Sequence, residues 1–98
     1  MSKKNEFVHE IKAQIHEWSA KIERLEAEME KDKPDIKSKQ KEYLSTLRGE
    51  YDKAKEKLSE VQNSSEEAWD DIKDGVEDSW KSMQDSFEKA FSRFKKED

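Results

Sequence analysis

Between Trp69 and Phe94, apolar side chains return every three or four positions: Trp69, Ile72, Val76, Trp80, Met83, Phe87, Phe91 and Phe94. An α-helix turns once in about 3.6 residues, so this spacing gathers all eight on one stripe, while the other faces are charged, small or hydroxylated. The same period runs through Phe7, Ile11, Ile15, Trp18, Ile22, Leu25 and Met29. It returns in Ile36, Tyr43, Leu44, Leu47, Tyr51, Ala54, Leu58 and Val61, with the polar Gln40 filling the one seam position that lacks an apolar residue. The spacing predicts three amphipathic helices, over about 5–31, 35–62 and 65–96, and no strand.

The joints follow from local chemistry. At Lys31-Asp32-Lys33-Pro34-Asp35 the proline disfavours helical geometry at Lys33, so the first helix must stop there. Asp32 or Lys33 is then expected to cap the second helix, with Pro34 in its first turn. The second joint, Gln62-Asn63-Ser64-Ser65, carries no glycine or proline. Ser64 with Glu67 three residues on reads as a capping box for a helix that begins at Ser64 or Ser65. Glu66, Glu67, Asp70 and Asp71 crowd its first turns and Lys89, Arg93, Lys95 and Lys96 its last, each on the side that the helix dipole favours.

Folding at both joints predicts an all-α antiparallel three-helix bundle or coiled coil, one domain over 1–98, forming a rod some 40–45 Å long at the standard rise. The three tryptophans Trp18, Trp69 and Trp80 are expected at different levels of it. Because the heptad spacing of Leu58 and Val61 continues through Ser65 and Ala68 to Ile72, an alternative is a helical hairpin in which the second and third helices fuse and two chains dimerise by exchange. Beside the aromatic seam, Ala68, Gly75, Ser79, Ser82 and Ser86 form a strip of small residues. It reads either as polar surface or as a track that lets a neighbouring backbone come close.

Composition narrows the function classes. Charged residues make up 46% of the 98 positions and hydrophobic ones 31%, against about 25% charged in an average globular chain. Such polarity would accompany disorder if the apolar residues were scattered, but they fall in register. The net charge of −5 and the lack of a basic patch argue against nucleic acid as a partner. With no cysteine there is no disulfide, thiolate site or thiol nucleophile. Met1 to Glu10 has two lysines but no apolar run after them, so neither a secretory signal nor a membrane span is expected, and the expected compartment is the cytoplasm. Asn63-Ser64-Ser65 fits the glycosylation pattern and, without an export signal, reads as chance.

Candidate chemistry is sparse. Glu6 and His9 form one Glu-x-x-His pair, which di-iron bundles use twice with two further glutamates; no second copy exists, and His9 and His16 read as surface residues. The acids Glu66, Glu67, Asp70, Asp71 and Asp74 read as dipole capping, since a helix cannot wrap them around a cation as a loop does. No phosphate-cradling glycine loop and no Ser-His-Asp set can be assembled. The expectation is therefore a non-enzyme with no catalytic, cofactor or metal site and no small-molecule substrate. Its functional residues are the seam itself: Trp18, Trp69, Ile72, Val76, Trp80, Met83, Phe87, Phe91 and Phe94. Its expected partner is itself, as a homo-oligomer, or another helical protein.

A membrane surface is the alternative partner, since a Trp- and Phe-lined helix ending in Arg93, Lys95 and Lys96 has the character of an interfacial helix. Against it, Glu66 to Asp78 holds seven acids and one lysine, which anionic head groups repel.

The run Glu67-Ala68-Trp69-Asp70-Asp71-Ile72-Lys73-Asp74-Gly75-Val76-Glu77-Asp78-Ser79-Trp80, followed by Phe87-Glu88-Lys89-Ala90-Phe91-Ser92-Arg93-Phe94, resembles a group of small bacterial coiled-coil proteins of uncharacterised function. The likeness extends to the Ile15 and Trp18 pair and the charged middle helix. It implies a bacterial cytosolic or periplasm-adjacent helical protein and supplies no activity. Phe7 to Trp18 is also similar to the first helix of spectrin-type three-helix repeats, as a shared packing solution.

Overall fold

The computed structural model describes residues 3–96, in which the chain folds into three α-helices: α1 (Lys3–Met29), α2 (Pro34–Asn63) and α3 (Glu66–Lys96). Residues 1, 2, 97 and 98 of the expected domain lie outside the described residues. The three helices pack as an antiparallel bundle, a rod of 52 × 19 × 16 Å. The rod exceeds the expected 40–45 Å because α3 alone has 31 residues, about 46 Å at the standard rise, and a loop caps each end.

Each helix is amphipathic, and its apolar stripe supplies the core. From α1 come Phe7, Ile11, Ile15, Trp18, Ile22, Leu25 and Met29; from α2 Leu44, Leu47, Ala54 and Val61; from α3 Trp69, Val76, Trp80, Met83, Phe87, Ala90 and Phe94. The contribution of α2 is smallest in number and in side-chain size. Its Tyr43, Tyr51 and Leu58 are only partly covered, and Ile36 is half-buried.

The first joint tightens α1 before ending it: Lys31 N donates to Glu28 O at 3.1 Å and Asp32 N to Met29 O at 3.0 Å. Lys33, in extended geometry, occupies the N-cap position of α2 without a side-chain bond, and Pro34 takes the first helical position, where its missing N–H removes nothing. Asp32 does not cap α2.

The second joint decides between hairpin and fused helix. Ser64 is extended, with φ −80° and ψ 146°, and both its backbone N–H and its hydroxyl donate back to Val61 O, the hydroxyl at 2.7 Å. The N-cap of α3 is Ser65, whose hydroxyl accepts the Ala68 N–H at 3.1 Å. The expected Ser64–Glu67 capping box does not form, because Ser64 turns its hydroxyl toward the helix behind it. Lys4 Nζ reaches from α1 to Ser64 O, tying the joint to the start of the chain. The fused-helix alternative is thus not the state the chain adopts: α2 and α3 are separate helices, and Glu50 of α2 lines one groove with Ser79, Ser82 and Ser86 of α3.

Candidate functional site

The expected functional residues all lie in the bundle interior or at its margin. Trp18, Trp69, Val76, Trp80, Met83, Phe87 and Phe94 are buried, whereas Ile72 and Phe91 are half-buried. The seam also takes in Ala90, which the spacing had passed over in favour of Phe91. The two residues flank the core stripe on opposite sides. Ala90 shares a groove with Tyr43 and Thr46 of α2, while Phe91 faces α1 and lies beneath Lys21 Nζ at 5.3 Å and Lys95 Nζ at 5.8 Å.

The aromatic residues join α1 to α3. Trp18 is held between Phe87, with ring centroids 4.2 Å apart and planes 4° from parallel, and Trp80, at 5.3 Å and 19°. Phe7 meets Trp69 at 5.2 Å with a 35° tilt. Trp18 and Trp80 therefore share a level of the rod, contrary to the expectation that the tryptophans are spread along it. The physical reason is that α1 and α3 run parallel, so residues equally far along each helix fall side by side. Near the far end Lys95 Nζ donates to both carboxylate oxygens of Glu28 at 3.0 Å.

The small residues belong to the other side of α3. Ser79, Ser82 and Ser86 line the groove against Glu50, Lys53, Glu56, Lys57 and Glu60 of α2, with Met83 at its floor. Gly75 plays no part in close approach, since a Cβ there would meet nothing within 4 Å. With serine and alanine facing α2 and large rings facing α1, α3 lies close to α2 and is held farther from α1.

Polar chemistry does not converge. Among the described residues Gln40 is the one polar residue that is buried, and no three His, Asp or Glu side chains are placed to hold a metal ion. His9 and His16 are exposed, as are Glu66, Glu67, Asp70, Asp71 and Asp74. Between the helices run open grooves, such as the one of about 270 Å³ bounded by Phe7, Glu10, Gln14, Glu77, Trp80, Lys81 and Gln84 between α1 and α3. No described helix is long and apolar enough to cross a membrane.

Fold and packing together define a class: a small all-α, antiparallel three-helix bundle whose outer helices are joined by stacked aromatic rings. Beyond that class, no family model, no curated protein and no solved structure matches the chain.

Proposed function

We propose that this chain is a non-enzymatic structural or protein-interaction module that associates with copies of itself or with another helical protein. The observation that carries this reading is the incomplete cover of the apolar seams. Val8, Tyr43, Tyr51, Leu58, Ile72 and Phe91 pack against the core yet remain partly exposed along the grooves of the rod. A small core gives a thin stability margin, and covering such residues with a further helix would widen it. The exposed faces carry dense charge of both signs, which favours register-specific pairing over indiscriminate aggregation.

Sedimentation velocity across a range of concentrations tests it. Growth of a discrete dimer or larger species, reduced by Leu58→Glu, is the expected result. A compact monomer at every concentration that also fails to bind helical partners would overturn the reading.

A second reading, reversible attachment to a lipid surface, is favoured by one specific observation. The last turns of α3 set Phe87, Phe91 and Phe94 among Lys89, Arg93, Lys95 and Lys96, and Phe91 is already partly exposed there. Co-sedimentation with anionic but not neutral vesicles, abolished by Phe91→Glu, would support it, whereas equal recovery with both kinds, or with neither, would remove it.

A further inference from the structure

The two ends of the rod are built to different standards. At the end holding the α2–α3 joint, Val61 is fully buried, Phe7 meets Trp69 ring to ring, and the joint is tied down by Ser64, Ser65 and Lys4. At the other end, α2 buries no apolar side chain between Pro34 and Tyr43; Ile36 and Tyr43 are half-covered and the only buried side chain in that stretch is Gln40, at 0% exposure. Neither Nε2 nor Oε1 of Gln40 has a hydrogen-bond partner. Tyr43 shares a groove with Ser86, Lys89, Ala90 and Arg93, so Gln40, one turn nearer the start of the antiparallel α2, stands level with the last turns of α3. The last buried side chains of the other two helices toward that end are Met29 of α1 and Phe94 of α3.

An amide shut away from water with all its donors and its acceptor unmet destabilises the closed state, and the loss is recovered as soon as water reaches it. Asp32 Oδ2, in the α1–α2 loop at the same end, is also buried and unpartnered. The opposite end has one comparable defect, the single N–H of Trp69, on a ring otherwise covered by Phe7. What holds the weak end shut from outside is at least partly open to solvent: the Lys95–Glu28 pair between α3 and α1, the Arg48–Glu26 pair between α2 and α1, and the lysines Lys21 and Lys95 over Phe91. Contacts of that kind are individually small and weaken with salt.

We propose that Gln40 is a built-in release point: the first turns of α2 and the last turns of α3 open together as a unit, ahead of global unfolding, while the joint end stays folded. Lys95 and Glu28 act as the latch. Opening bares Phe87, Phe91 and Phe94 on a helix end that also carries Lys89, Arg93, Lys95 and Lys96. The vesicle reading above requires such a release, but the release is a property of the resting bundle and needs no lipid.

Native-state hydrogen exchange on the full chain, without lipid, is the test. The amides of Phe87 to Phe94 are expected to exchange about tenfold or more faster than those of Trp69 to Val76, with the gap widening as salt is added. Gln40→Leu is expected to close that gap by slowing the first group selectively. Glu28→Gln serves as the complementary variant, expected to speed exchange at Phe87 to Phe94 by a fewfold and leave Trp69 to Val76 unchanged. Equal exchange in both groups, or equal slowing of both by Gln40→Leu, overturns the proposal. Loss of vesicle binding with the exchange pattern intact would remove the lipid reading alone.

Discussion

The two faces that α3 presents to its neighbours make an instructive pair. Toward α1 it offers Trp69, Trp80, Phe87 and Phe91, and the helices are joined by ring stacking across a broad gap. Toward α2 it offers Ser79, Ser82, Ser86 and Ala90, and the helices come close. One helix thus holds two partners at two distances by sorting side-chain volume across its width. The wide contact is specified by a few large groups, each of which matters greatly. The close contact spreads its specification over many small ones, where added bulk is the damaging change.

Substitutions can break this contrast in graded ways. Trp18→Ala removes the centre of the aromatic stack and should cost about 3–5 kcal/mol, read as a lower urea midpoint in far-UV circular dichroism. A loss under 1 kcal/mol would mean that the rings are not what joins α1 to α3. Ala54→Leu adds bulk to the small residue that α2 buries completely, and should destabilise by about 1–3 kcal/mol through overpacking, despite its added apolar surface. A stabilised variant would show that the close contact has room to spare.

Ser65→Ala removes the hydroxyl that caps α3 and should cost about 1 kcal/mol by the same denaturation assay. Ser64→Ala, whose hydroxyl serves the end of α2, allows the two serines to be told apart. Gly75→Ala should do the reverse and stabilise by about 0.8–1 kcal/mol, since the site is exposed and helical and a Cβ meets nothing. If it destabilised instead, the close-approach role would extend farther along α3 than the structure places it.

Much of this was written in the period of the chain. Seams spaced by three and four residues identify three helices whatever their partners, and Pro34 marks a stop that no packing can override. The parallel contact between α1 and α3 was harder to read, because no loop connects the two directly and their relative level is set only through α2. Hence Trp18 and Trp80, which stack, looked remote in sequence. Ala90 and Phe91 illustrate a second limit: adjacent residues on either flank of a stripe compete for the core. The larger one loses here because its side faces the gap that other rings already hold open. The polarity of Gln40 was visible as a break in the α2 seam. That its amide finds no partner depends on which residues stand opposite, which the pattern of one helix does not state.

An odd number of antiparallel helices has a consequence for anything joined to this rod. Lys3 lies at the end where Phe7 meets Trp69, and Lys96 at the end where Lys95 meets Glu28. Cargo attached at the two extremities would be held apart by nearly the full 52 Å, like beads on either tip of a short strut, whereas a two- or four-helix hairpin would bring them together on one side.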